Sequence, residues 1–213
     1  EFFRKELREF LLLAREEQVD PLSLKGSYAG AMGLPQFMPS SFRAYAVDWD
    51  GDGRHDIWNT PADAMASVAS YMALHGWQAG GDTMLPVTVE GKEIDGLVAD
   101  KFNLHYSVAE LMAKGVSLSG SIDTAQPAIL FPLEMAPGDT RYFLGFKNFY
   151  AITRYNKSTL YATAVLELAE AIRTAKANGP IEPAKPAAPT QAQAKKKVSK
   201  KVATKHTTKK KNR

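Results

Sequence analysis

The last nineteen residues decide where this chain can build a core. From Lys195 to Arg213 there are ten Lys or Arg, no acid and no apolar periodicity. Such a run cannot bury enough apolar surface to offset its conformational entropy, so the sequence predicts a disordered basic tail. The preceding residues, 180–194, are rich in Pro, Ala and Gln and read as a linker. Folded structure is therefore expected within residues 1–179. The charge balance splits at the same place. The whole chain carries +4, but without the tail's ten cations 17 basic residues face 23 acidic ones, a body of −6. With 45% hydrophobic and 23% charged residues, wholesale disorder and collagen-like repeats are excluded. No stretch approaches the roughly 20 apolar residues of a membrane span. With no cysteine, disulfides, thiolate metal sites and Cys nucleophiles are excluded too.

The chain opens Glu1-Phe2-Phe3-Arg4, and Leu7, Phe10, Leu11 and Ala14 follow at helical spacing. This predicts an amphipathic helix to about Glu17, already under way at residue 1, with further sequence upstream. Its acids (Glu1, Glu6, Glu9, Glu16 and Glu17, with Asp20 after them) are expected on the polar side or in the terminal turn. Thr60-Pro61-Ala62-Asp63 has the residues of a helix start, a Thr cap with Pro at the first helical position. Gly76 ends that helix. Strands are expected over Met84–Glu90, Ala128–Glu134 and Thr140–Leu144, the last two joined by a turn at Pro137-Gly138-Asp139. Helices are expected over Ser107–Lys114 and Phe149–Tyr155. Ser158 should cap a final helix with Leu160, Ala164, Leu168 and Ile172 on its buried face. The fold class is α+β, mainly α, with a small β subregion. Trp49, Trp58 and Trp77 are read as core packing.

Two segments carry chemistry. Asp48-Trp49-Asp50-Gly51-Asp52-Gly53-Arg54-His55-Asp56 places oxygen ligands at positions 1, 3 and 5 of a loop, Gly at 6 and a backbone carbonyl at 7. A hard cation needs six to eight oxygens, and the glycine permits the turn that aims them inward, as at the start of an EF-hand loop. Position 12 holds Asn59 instead of Glu, and Asp63 follows as a late ligand. Without a cation, so many close carboxylates repel one another. The second segment, Lys25 to Pro39, mixes three glycines and two prolines with apolar residues and the polar Ser27 and Gln36. It lacks the Lys-Ser/Thr ending of a phosphate loop. A packed turn lining a carbohydrate or small-molecule cleft suits this composition. The four His, at 55, 75, 105 and 206, show no metal-pair spacing, and His75 reads as a helix-end residue.

Lys25-Gly26-Ser27-Tyr28-Ala29-Gly30-Ala31-Met32-Gly33 followed by Gln36-Phe37-Met38-Pro39-Ser40-Ser41 resembles a motif of the membrane-bound lytic murein transglycosylase B family. The Asp48–Asp56 loop, Ala66 to Tyr71 and Asn148 to Asn156 follow in that family's order, so the resemblance runs from residue 1 to about 176. It implies a lysozyme-like transglycosylase domain with an EF-hand-like calcium loop, working in the periplasm or cell envelope. The implied reaction cleaves the MurNAc–GlcNAc β-1,4 bond of peptidoglycan glycan strands and leaves a 1,6-anhydro-MurNAc end. One Glu can serve first as acid to the glycosidic oxygen and then as base to the sugar's own 6-hydroxyl. In the family that Glu lies further upstream than the 26 residues ahead of Ser27, so no catalytic residue is assigned in this chain. The alternative is a non-catalytic, peptidoglycan-binding remnant. By resemblance, Ser27, Gln36, Tyr71, Tyr155, Asn156 and Tyr161 line the glycan cleft. Asp48, Asp50, Asp52, the Arg54 carbonyl and Asp63 hold structural Ca2+. A monomer is expected. The basic tail suits acidic envelope polymers. A nucleic-acid function is disfavoured by the acidic body and by a tail without interleaved aromatics.

Overall fold

The computed structural model describes residues 1–179, and the expected linker and tail lie outside them. The chain falls into two compact units, Glu1–Ala169 and Glu170–Arg213. Of the second, the end of the last helix is described, where Arg173 pairs with Glu170 at 2.9 Å.

Helix α1 spans Phe2–Glu16, α2 Pro39–Tyr45 and α3 Pro61–Leu74. The buried residues of α1 are Glu6, Leu13 and Ala14, with Phe10 half-buried beside them. The expected stripe is therefore rotated: Leu7 and Leu11 are 58% and 56% exposed. Contacts with α2 set this rotation. The Arg43 guanidinium of α2 donates to both Glu16 oxygens at 2.7 Å and also to Glu9, a fork that fixes the helix pair. Glu6 is a second correction. It is not on a solvated face but 6% exposed, and it accepts the Ser40 N–H at 3.0 Å and the Ser40 hydroxyl at 2.7 Å. A carboxylate so placed satisfies part of the first turn of α2, whose N-cap, Met38, makes no side-chain cap bond.

Pro61 opens α3 as expected, but Thr60 makes no side-chain cap hydrogen bond. At the other end, the Gly76 N–H donates to the Ala73 carbonyl and the Trp77 N–H to the Met72 carbonyl. Gly76 sits at φ +88°, the left-handed residue of a Schellman end.

The β region adds β1 (Met84–Val89), β2 (Tyr106–Ser107), β3 (Val116–Leu118), β4 (Pro127–Ala136) and β5 (Asp139–Gly145). Short helices α4 (Ile94–Ala99) and α5 (Val108–Ala113) interrupt it. The sheet order is β2-β4-β5-β1-β3, with every described pairing antiparallel. Strand β4 is buried on both faces from Ala128 to Phe131. Leu130 packs with Ile94, Leu97, Val108, Leu111 and Leu144. Ile129 and Phe131 face Phe149, Ile152 and Ala162 of α6 (Lys147–Tyr155) and α7 (Thr159–Asn178). A continuous apolar run is what a strand covered on both sides requires. Ser107 and Glu110 form a complete capping box on α5.

Ser158 caps α7 by accepting the Tyr161 N–H at 3.1 Å. The expected buried stripe of α7 faces outward instead, with Leu160 69%, Leu168 62% and Ile172 59% exposed. The buried positions are Thr159, Ala162 and Thr163, and Val165 and Leu166 pack half-buried against the cluster that holds Ile129 and Phe131. Of the tryptophans, Trp58 packs with the core as expected. Trp49 is 70% exposed and Trp77 37% exposed, so neither is a core residue.

Candidate functional site

The glycine-rich segment folds as two linked bridges, Gly26 to Met32 and Met32 to Phe37. The Ser27 N–H donates to the Ala31 carbonyl at 2.8 Å, and the Ser27 hydroxyl oxygen accepts the Ala31 N–H at 3.1 Å. Gly33 has φ +66°, and a Cβ there would lie 2.7 Å from Ile57, so both the turn and the packing require glycine. Gln36 is a non-glycine residue at φ +54°, and its side-chain amide donates to the Gly33 carbonyl at 2.9 Å. Ser27 lines a cavity of about 280 Å³ together with Phe3, Glu6, Phe10, Lys25 and Tyr28. Glu6 is the sole acid in that lining, and its carboxylate is engaged by Ser40.

A wall of aromatic rings forms the second part. Tyr71 of α3 stacks on His75 at 3.9 Å and meets Tyr45 edge-on at 4.8 Å and Tyr155 edge-on at 5.0 Å. Phe37 lies 5.9 Å from Tyr71 and 5.8 Å from Tyr155. The Tyr155 hydroxyl donates to the Pro35 carbonyl and so ties α6 to the glycine-rich loop. Burial, and then the neighbouring Tyr161 and Tyr71, push the Tyr155 phenol far above its ordinary range. Burial also raises the Tyr71 phenol, helped by Tyr45 and opposed by Arg154. Both stay protonated at neutral pH and keep an O–H to donate.

The acidic loop is the third part. Oxygens of Asp48, Asp50 and Asp63 all lie within 4.8 Å of one another. Asp48 accepts the N–H groups of Gly51 and Gly53 at 2.8 and 2.9 Å. Its desolvation raises the pKa, but the Gly53, Gly51 and Asp52 amides outweigh that and hold it below the usual value. Asp50 goes the other way. The Asp52 N–H lowers its pKa, but desolvation and the Asp52, Asp63 and Asp48 carboxylates together raise it. Buried Asp63 accepts the Trp49 N–H at 2.9 Å and the Asp56 N–H at 3.0 Å, and so pins both ends of the loop.

The candidate residues thus fall into separate groups. Ser27 lines the cavity. Tyr71 and Tyr155 stand in the aromatic wall, with Tyr161 beside Tyr155. Gln36 and Asn156 are exposed on turns near these elements, Asn156 as the C-cap of α6. Asp52 is outside the converging carboxylates and accepts the Arg54 N–H at 2.9 Å. Sequence reasoning missed Glu6, Tyr45 and His75 as parts of these walls. Glu6 was findable, since it lies seven and eight residues before Leu13 and Ala14, on one helical face. Tyr45 gave no signal, because its contact with Tyr71 depends on how α2 meets α3, whereas His75 follows Tyr71 by four residues on the same helical face.

Comparison with known proteins adds independent findings. Residues 1–170 match the family model described as Transglycosylase SLT domain. Over 176 residues the chain is 47% identical to membrane-bound lytic murein transglycosylase B of Escherichia coli K12, covering 83% of this chain and 47% of the relative. It superposes on the crystal structure of soluble lytic transglycosylase SltB1 from Pseudomonas aeruginosa with a TM-score of 0.76 and 50% identity, covering 83% of this chain and 58% of that one. The E. coli lytic transglycosylase Slt35 in complex with calcium gives a TM-score of 0.73 and 44% identity, over 83% and 55% of the two chains. The chain therefore spans about half the length of the curated relative it matches.

Proposed function

We propose, from the premise that this chain belongs to the transglycosylase SLT domain family, that it supplies the glycan-binding part of a peptidoglycan lytic transglycosylase. The reaction assigned is cleavage of the MurNAc–GlcNAc bond with closure of a 1,6-anhydro ring, in cell-wall turnover within the periplasm. The observation that carries the reading is the Ser27 cavity, whose lining residue Met32 packs in the same cluster as Phe37, Tyr71 and Tyr155. A sugar has an apolar face suited to rings and a polar rim suited to hydroxyls and amides. Ser27, Gln36, Asn156 and Tyr161 are assigned to that rim.

The catalytic acid is assigned to sequence outside these 213 residues. Glu6 cannot serve freely, because the carboxylate oxygens already accept from Ser40, and a general acid must carry its own proton toward the leaving oxygen. The test is to incubate the 213-residue chain with purified peptidoglycan. No 1,6-anhydro-muropeptides should be released, and release should appear when the chain is extended by the upstream segment of a relative. Anhydro products from the 213-residue chain itself would place the catalytic group within it.

The acidic loop is assigned to structural calcium. The residues fit such an ion: three carboxylates converge, and mutual repulsion lifts the Asp50 pKa in the way a cation would relieve. Asp48, Asp50 and Asp63 would hold it, with Asp52 and the Arg54 carbonyl as the further oxygens of the loop. No described helix is long and apolar enough to cross a membrane.

A further inference from the structure

A second cavity, of about 380 Å³, lies between the loop after α1 and the acidic loop. Glu17, Val19, Ser23, Leu24 and Lys25 line one side, and Arg54, His55, Asp56, Trp58 and Asn59 the other. That volume is within the usual range for ligand sites, about 300–1,000 Å³. Leu24 and Lys25 also line the Ser27 cavity, so the two cavities share a wall.

The polar groups of this cavity are unevenly used. Its acceptors are engaged. The Glu17 carboxylate accepts the His55 N–H at 3.3 Å and contacts the His55 ring at 2.9 Å. Asp56 accepts the N–H groups of Trp58 and Asn59 at 3.0 and 2.9 Å, and the Asn59 side-chain amide as well. Its two cationic side chains are the exception. Among the described residues, the Lys25 ammonium and the Arg54 guanidinium form no ion pair. The Trp58 indole N–H is buried without any hydrogen-bond partner. Spare cationic donors over a partly apolar floor of Val19, Leu24 and Trp58 suit an anion attached to an organic chain.

We infer that this cavity binds a carboxylate of the peptide branch that N-acetylmuramic acid carries, beside the glycan held in the Ser27 cavity. The inference rests on the glycan reading proposed above. It adds that the chain distinguishes peptide-bearing strands from stripped ones. The cation reach of Lys25 and Arg54 supplies the discrimination, and the wall shared by the two cavities supplies the spacing.

Calorimetric titration of the full 213-residue chain with two probes tests it. One is a GlcNAc–MurNAc tetrasaccharide whose peptide carboxylates are free; the other is the same compound with those carboxylates amidated. The free acid should bind about tenfold tighter, the scale of a charge-assisted hydrogen bond. In the double variant Lys25→Gln, Arg54→Gln the ratio of the two affinities should fall toward one. Thermal unfolding confirms that the double variant is folded. Equal binding of both probes by the unaltered chain overturns the inference while leaving the glycan reading intact. A ratio that survives in the double variant means the carboxylate is read elsewhere, and overturns it as well. If neither tetrasaccharide binds, the glycan reading fails first and this inference with it.

Discussion

In the sheet, β4 sets Ala128 to Phe131 in one buried row, and the groups around it are almost all hydrocarbon. Around the glycine-rich loop, the buried set of Leu13, Met32, Phe37, Phe42 and Ile57 is crossed by polar ties instead. Glu6 holds Ser40, Arg43 holds Glu9 and Glu16, Glu17 holds His55, and Asp63 holds both ends of the acidic loop. The sheet gets its backbone partners from its own ladder, so its side chains are left to pack. The loop region has no ladder, and carboxylates and hydroxyls stand in for it. This is also the region with an unpartnered indole N–H and with non-glycine residues at positive φ, Gln18 and Gln36. Features that cost stability gather where ligands are proposed to bind, and the sheet carries the packing that tolerates them.

The contrast can be broken at its strongest point first. Phe131 is fully buried and stacks on Phe149 at 4.4 Å. Phe131→Ala should destabilise the fold by about 3–5 kcal/mol in urea unfolding. A loss below about 1 kcal/mol would mean the sheet is not the packed half of the molecule. Next comes the acidic loop. Calcium at 100 times its dissociation constant should stabilise by about 2.7 kcal/mol, and Asp50→Ala should abolish the gain. Identical thermal unfolding in excess calcium and in chelator would remove the ion from the account.

Glu6→Ala should cost about 1–3 kcal/mol, because it leaves the Ser40 groups without their acceptor. Glu6→Gln should recover part of this, and the comparison of both variants with Leu13→Ala separates the polar tie from simple packing. The smallest effect is electrostatic. The Arg43 hydrogen bond holds the Glu16 carboxyl below its ordinary value of 4.5. A depressed folded value means the contribution is present above about pH 4.5 and is lost as pH falls through the folded pKa. Arg43→Gln should therefore lower stability near neutrality, leave it nearly unchanged in strong acid, and flatten the rise between the two. Both partners are exposed, so the difference should be modest and should shrink with salt.

Much of the fold was legible in local chemistry. Pro61, the Ser158 cap, the Gly76 stop and the β4–β5 hairpin each depend on neighbouring residues, and each stands where the sequence places it. The strands β2 and β3 and the helix α4 were not legible. Two- and three-residue strands carry no periodicity, and β3 exists only because β1 pairs with it, as in Val87 with Leu118. The candidate site divides the same way. The carboxylates of the acidic loop were readable because their spacing is itself the geometry. The Tyr45–Tyr71 contact was not, because α2 and α3 must meet to make it, whereas Tyr71 and His75 lie one helical turn apart.

The sequence by itself determined the kinds of element, most of their ends and the two loops rich in chemistry, since hydrogen bonds and φ preferences act over a few residues. Only the tertiary structure decided which face of a helix is inside. In α1 the buried side includes Glu6 while Leu7 and Leu11 remain exposed, and in α7 it is Ala162 and Thr163 while Leu160 and Leu168 face outward. An apolar stripe gives a helix a preference, but the partner surface sets its rotation. Ser40 offers donors to a carboxylate at one such surface, and Ile129, Phe131 and Phe149 take Ala162, Val165 and Leu166 at the other.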